Sequence, residues 1–457
     1  MSGIKPWGLV VATISWSMIP FGVTAQGSAA AAITSNNPGV LATAAQLERE
    51  ALALRVLASA PVQREMRRLE QFYRSDPLGV TPTGKATIRR AVDSTAMAAV
   101  FYAVNEDSDR PSFLWMASGP HRWFGLDVPR SGFGIENPDN VYRDTHVDAE
   151  AQYEIRGKIE RPGPVEQHFA LMDAIPGTTR LSAEGGMVLA TLRSDQMTVA
   201  TDGSFKISID GTPTEGRSNH IQLPTGNGRY YLLVRDLFTD WSTQNPVMLE
   251  IRRVSGPDLL PERTEKQIAE RSAEILSKIG PYWLNYFNQF YYSKPANVLS
   301  APRVRPGGRG MSKGGHFELA DDEALVVTLD SLSADSLGIQ LTDPWGVAYE
   351  YVGRTSSLNN AQAKPNADGT YTFVISAGDP GVYNWLDPDG HNAGMLAIRW
   401  QGLKGRADPD RAIRSVQRIN IGNLRKVLPG DTTFVTTAQR KQQQTQRAQD
   451  YMRRLSE

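Results

Sequence analysis

Between residues 44 and 73 the apolar positions Leu47, Leu52, Leu54, Leu57, Met66 and Leu69 recur at helical spacing among Arg, Gln and Glu. That period predicts amphipathic helix. Pro61 either separates two helices or opens the second at its first turn. SDPLGVTPTG is a turn-rich break, and KATIRRAVDSTAMAAVFYAVNED reads as a further helix. After Pro111 the pattern changes. QYEIRGKI, MVLATLR, SFKISID and RYYLLVRDLF alternate or run apolar over strand lengths, with Gly, Asp and Pro between them. DGSFKISID at 202–210 recurs in type as DGTYTFVIS at 368–376. Asp-Gly before an aromatic and a β-branched run is hairpin chemistry, and the recurrence marks either two related β-sandwiches or two ordinary hairpins.

Between the β regions, PERTEKQIAERSAEILSKIGPYWLNYFNQFYY opens on Pro261 and acidic residues, as a helix start does. Ile268, Ile275, Leu276 and Ile279 form one face, Gly280-Pro281 is expected to break or kink the helix, and Tyr282, Trp283, Tyr286, Phe287 and Phe290 continue at helical spacing. The aromatic stripe is either a connector packed against a sheet or one wall of a ligand pocket between domains. RVRPGGRGMSKGGHFEL is a Gly-rich link; it lacks the GK[ST] ending and strand-to-helix context of a phosphate loop. TTAQRKQQQTQRAQDYMRRL predicts a terminal helix with a narrow apolar stripe and a solvated basic face. The expected fold is mainly β, with two β-sandwich, jelly-roll-like modules at 111–260 and 316–403. A leader and helical segment (26–110), a connecting helix with its link (261–315) and a helical basic tail (404–457) complete it.

Composition narrows the classes. Lys plus Arg and Asp plus Glu are 49 each in 457 residues, so no global field gathers nucleic acid. With no cysteine, disulfides, cysteine-ligated zinc and thiol nucleophiles are excluded. Lys5, the apolar GLVVATISWSMIPFGV, and Val23 and Ala25 before a cut near Gln26 read as an export signal over 1–25, with a retained anchor as the alternative. The mature chain is then expected outside the cytoplasm, periplasmic or extracellular, with no spanning segment of its own.

Candidate chemistry gathers in three places. In ENPDNVYRDTHVD, Asp139, Tyr142, Arg143 and His146 either build a turn or share proton transfer in a cleft. The spacing does not match a calcium loop, and no metal or cofactor is expected. In RYYLLVRDLFTDW, Arg235 and Asp236 point to opposite faces, so one is directed inward and needs a partner or a site. Asp240 and Trp241 end that strand. In DPGVYNWLDPDGHNAGMLAIRW, Asn384 and Trp385 sit between turns. The closing strand there sends Met395, Ala397 and Arg399 one way and Leu396, Ile398 and Trp400 the other. No nucleophile elbow, HExxH or dinucleotide fingerprint occurs.

NPDNVYRDTHVD resembles the Asn-x-Asp-x-x-Tyr…Asp segment of a bacterial domain of unknown function, family 1254, with Pro138 inserted. SSLN, DGTYTFVIS, DPGVYNWLDPDG and GMLAIRWQ resemble the C-terminal half of its frequent companion, family 1214, over about 320–403, through Asn384, Trp385 and Leu386. The resemblance implies paired β-sandwich modules in exported proteins and transfers no catalytic residues. Trp beside Asn, Asp and Gln suits sugars, because a ring stacks and amides bond hydroxyls. The expected function is binding of a glycan or small polar ligand between modules. A glycan hydrolase or lyase and an envelope structural role are the alternatives. Asp139, His146, Arg235, Asp240, Asn384 and Trp385 are expected to converge within the ~10 Å scale of one small-ligand pocket.

Overall fold

The computed structural model describes residues 41–182, 186–305, 310–403 and 408–455. The export signal and nearly all of the leader lie outside the described residues.

Three helices open the described chain: α1 (Ala44–Leu57), α2 (Ala60–Ser75) and α3 (Pro82–Val104). Thr43 and Thr81 cap α1 and α3 through their hydroxyls, and Pro61 and Pro82 occupy first turns, where a missing N–H costs nothing. A fourth helix, α4 (Glu265–Phe287), starts on a Thr264/Gln267 capping box and runs unbroken through Pro281 into a π-helical turn, Asn288–Tyr292. The expected break at Gly280-Pro281 is absent. Gly280 serves packing instead: a Cβ there would lie 2.4 Å from Leu69 Cδ1 of α2. Leu69, Val92, Met97, Ile275 and Ile279 share one core with Met116 and Tyr231 of the neighbouring sheet. The predicted leading segment and connector are therefore one helical layer.

The first β region holds β1 (Leu114–Met116), β2 (Asn140–Asp148), β3 (Gln152–Lys158), β4 (Glu166–Met172), β5 (Val188–Arg193), β6 (Ser204–Asp210), β7 (His220–Gln222), β8 (Arg229–Leu237) and β9 (Met248–Ser255). They form two sheets, β1-β2-β8-β4-β5 and β9-β3-β6-β7, with Phe169, Leu232, Val234, Ile155 and Ile207 in the core between them. A short ribbon, His121–Trp123 with Leu126–Val128, stands apart. The second region holds β10 (Arg303–Val304), β11 (Met311–Glu318), β12 (Glu323–Leu329), β13 (Ser336–Thr342), β14 (Ser357–Asn359), β15 (Tyr371–Ile375), β16 (Trp385–Leu386), β17 (Ala393–Gln401) and β18 (Ile413–Asn420). Its sheets are β10-β11-β17-β13-β14 and β18-β12-β15-β16, around Leu325, Leu337, Phe373, Leu396 and Trp400.

The two orders are the same order. Each strand of the second region occupies the place of the strand nine earlier, and the parallel pairs, β6 with β7 and β15 with β16, also correspond. The Asp-Gly repeat falls on equivalent turns. Asp202 Oδ1 accepts from Ser204 N and Oγ, and Asp368 Oδ1 accepts from Thr370 N and Oγ. Gly203 (φ 83°) and Gly369 (φ 81°) supply the left-handed residue each turn requires. These turns carry the chain from one sheet to the other, so they are not hairpins, and the two β regions share one strand order.

Helix and strand each make up 29 % of the structure, and the sheets are open, so the fold is mixed α/β and not mainly β. The second sandwich also exceeds its expected bounds: β10 and β11 lie inside the Gly-rich link, and β18 lies inside the expected tail. The tail helix is α5 (Thr437–Met452). Lys441, Gln442, Thr445 and Gln446 are exposed as expected, but one stripe is not solvated. Arg440, Arg447 and Arg454, spaced by seven, are all buried. Arg440 pairs with Asp379, Arg447 donates to Tyr351 O, Ser357 Oγ and Gln362 Oε1, and Arg454 donates to Pro138 O. Among the described residues no helix is long and apolar enough to cross a membrane.

Candidate functional site

Strand alternation sets up the site. On β8, Leu232, Val234 and Asp236 enter the sandwich interior, which leaves Tyr231, Leu233 and Arg235 on the outer face. Asp236 is the buried, paired ion expected there. Arg143 donates to it at 2.5 Å, Gln167 Nε2 at 2.9 Å and Val247 N at 3.0 Å. On β17, Leu396, Ile398 and Trp400 enter the second core while Met395 and Ala397 pack on Tyr286 and Phe287 of α4. The predicted alternation holds.

Arg235 and Arg399 are each the seventh residue of a nine-residue strand, and β8 and β17 are equivalent strands. Both arginines line one cavity of about 150 Å³ at the seam between the sandwiches. Tyr142, register partner of Arg235, lies beside it, and Trp283, Tyr286 and Tyr291 of α4 and its π turn supply an aromatic wall. Arg305 and Lys313 complete the charged lining. None of the lining residues is a carboxylate or a histidine.

The polar groups are unevenly matched. Arg399 donates to Ile135 O at 2.6 Å and to Gln340 Oε1. Arg235 Nη2 meets His168 Nδ1 at 2.9 Å, but its Nε is buried with no partner. Burial, with Arg305 and Arg399 alongside, holds Arg235 below the ordinary arginine range, against the pull of Tyr142 and Glu166. The Tyr142 hydroxyl accepts from Asn137 N (3.0 Å) and Asn140 Nδ2 (3.1 Å), so its own proton is left to donate. Asn140 Oδ1 is a buried acceptor with no partner. Trp283 Nε1 is also unpaired, but it sits against Gly177, where a Cβ would come within 2.9 Å. The wall includes a strained residue. Ile135 is β-branched at φ 62°, a conformation that costs on the order of 1–3 kcal/mol and persists where its surroundings fix it.

The other expected site residues do not join this cavity. Asp139 is buried in the seam, where Oδ1 accepts from Trp241 Nε1 (3.0 Å) and Asn359 Nδ2 (2.8 Å), so it ties the first sandwich to the second. Burial raises its pKa. Trp241 cannot stack on a sugar, since the guanidiniums of Arg447 and Arg454 lie 4.3 and 4.6 Å from its ring centre. Asp240 folds onto its own loop, taking Ser242 N (2.9 Å) and Thr243 Oγ1 (2.8 Å). Both line a separate space of about 210 Å³ beneath α5, whose Gln443 and Gln446 are bonded to Tyr383 O and Asp450. His146 is buried beneath the helices, with Nδ1 3.3 Å from Asn105 O and its ring 5.4 Å from that of Tyr231. Asn384 bridges Lys364 N, Lys364 O and Thr372 O at 2.8, 2.8 and 3.0 Å. Trp385 donates to Ser376 O and lies under Arg440. The expected convergence of six residues thus fails. Asx residues satisfied their own backbone, and only Tyr142 and Arg235 face the seam cavity.

Among the described residues no group of three His, Cys, Asp or Glu could hold a metal ion. No family model matches the chain, and no curated protein matches it. A solved structure of an uncharacterised protein from Burkholderia cenocepacia is similar at 22 % identity and a TM-score of 0.66, covering 81 % of this chain and 99 % of its own. That likeness shows the fold alone. The VPA0106 protein from Vibrio parahaemolyticus matches at 14 % identity and a TM-score of 0.38, over 72 % of this chain and 96 % of its own.

Proposed function

We propose that this chain is an exported, non-catalytic binding protein that holds a small polar ligand in the cavity between its two sandwiches. One observation carries the reading: Arg235 and Arg399, from equivalent strands, line one aromatic-walled cavity at the junction of two repeated units. Polar groups that converge on an aromatic-walled space are what a small polar ligand requires. The hydrolase alternative finds less support, because hydrolysis of a glycoside commonly uses a pair of carboxylates and the lining has none. The volume suits one sugar-sized ring and not an oligosaccharide. Export rests on the leading 25 residues, and the resemblance to families 1254 and 1214 accords with paired sandwiches.

The test is a thermal-shift screen of the chain and its Arg235→Gln variant against small sugars, polyols and organic acids. Binding to the folded state alone raises Tm by mass action. A shift with one class, lost in the variant, is expected. A flat screen would overturn the reading.

A further inference from the structure

We propose that the seam cavity takes an oxyanion, a carboxylate or a phosphate- or sulfate-like group, on a body no larger than a single six-membered ring. This rests on the binding reading above. Three cationic side chains, Arg235, Lys313 and Arg399, line a space of about 150 Å³ whose lining holds no carboxylate. Arg235 bonds His168, Arg399 bonds Gln340 and the Ile135 carbonyl, and Lys313 bonds Ser300. Like charges sharing a partly buried space repel one another more strongly than they would in water, and an anion placed among them turns that repulsion into attraction. Burial first, and Arg305 and Arg399 in lesser part, lower the proton affinity of Arg235. A guanidinium on the lining offers an oxyanion charge-assisted donors that a neutral hydroxyl cannot use in full.

The remaining groups set the shape of the ligand. The Tyr142 hydroxyl is left to donate, which adds a second acceptor-seeking group beside Arg235. Trp283 and Tyr291 present ring surface to the same space. A cavity of this volume holds about one benzene-sized body. The best-fitting class is therefore a small aromatic acid.

Isothermal titration of the full chain at low and high salt tests this, with benzoate, inorganic phosphate and sulfate as anions and benzyl alcohol and glucose as neutral probes. At least one anion should bind, with affinity falling as salt rises. Benzoate alone would mark a carboxylate on a ring, and phosphate or sulfate alone a tetrahedral group. Arg235→Gln should weaken binding about tenfold or more, the loss of one charge-assisted contact. Lys313→Gln, at a half-buried surface position, should weaken it several-fold and serves if the arginine variant does not fold. Binding of benzyl alcohol or glucose with no anion bound would overturn the anion assignment and leave the binding reading standing. No binding by any probe up to about 10 mM would overturn both.

Discussion

Glu136 offers the sharpest test of how the seam is held. It is 5 % exposed, in the loop that leads from the cavity wall to β2. Its Oε1 accepts from Ala348 N of the second sandwich at 3.2 Å, and its Oε2 has no partner. Arg130 Nη1 stands 3.8 Å away but donates to Ala348 O, and its guanidinium lies over the Tyr351 ring. Burial outweighs the attraction of Arg130 and pushes the carboxyl up to about 8 from an ordinary 4.5. Between those values the folded chain keeps a proton that the unfolded chain has released. Stability is therefore lost as pH rises, by about 1.4 kcal/mol per pH unit and about 5 kcal/mol over the whole window. Glu136→Gln keeps the shape and removes the titration. Urea unfolding from about pH 6 to about pH 8 should show the parent chain losing about 2 kcal/mol more than the variant, with the variant the more stable of the two at about pH 9. Parallel stability curves would mean that the carboxyl is ionised at neutral pH and that Arg130, not burial, governs it.

Three further outcomes are expected. Burial lowers His146 to about 4 from 6.5, so its contribution is present above 6.5 and is lost as pH falls toward 4; a His146→Gln variant should recover about 3 kcal/mol relative to the parent between about pH 7 and about pH 4 in the same assay. Arg447→Met should cost about 3–5 kcal/mol in denaturant unfolding, because three acceptors and the Trp241 face lose a buried charge, whereas Arg68→Met, at an exposed i,i+3 pair, should cost no more than about 0.5. Asn384→Ala should cost about 2–4 kcal/mol by orphaning Lys364 and Thr372 backbone groups, while leaving the affinity of any seam ligand unchanged by titration.

What could be read in advance was what local physics decides. Pro61 and the 3.6-residue period place the helices, and the period of two sorts Leu396, Ile398 and Trp400 from Met395, Ala397 and Arg399. Misreadings arose where long-range packing decides. Gly314 and Gly315 looked like a linker, yet they are strand residues whose missing side chains admit Tyr291 and Leu299. The Gln-rich tail looked solvated because arginine counts as polar, yet a guanidinium stacked on Trp241 and bonded to carbonyls is at home in a buried seam. The seven-residue spacing of Arg440, Arg447 and Arg454 was the available signal. Arg399 was legible only as one more strand residue, because its role depends on Arg235 arriving from 164 positions earlier in the chain.

The repeated strand order lets equivalent positions of the two β regions be compared. Register aligns Tyr142 with Ser312 through Arg235 and Arg399, and four residues on it aligns His146 with His316. Both histidines are buried on the outer face of equivalent strands and packed on a tyrosine, Tyr231 or Tyr292. Burial lowers the pKa of both. Two copies of one solution in two different surroundings, one beneath the helical layer and one beside the π turn, point to a packing role for the imidazole. The arginines behave differently. Copies of one position come from two sandwiches into a single cavity, where each adds to a charge the other already supplies. Arg399 bonds the Ile135 carbonyl and Gln340, yet two like charges in one space cost stability. The anion proposed above would offset that cost.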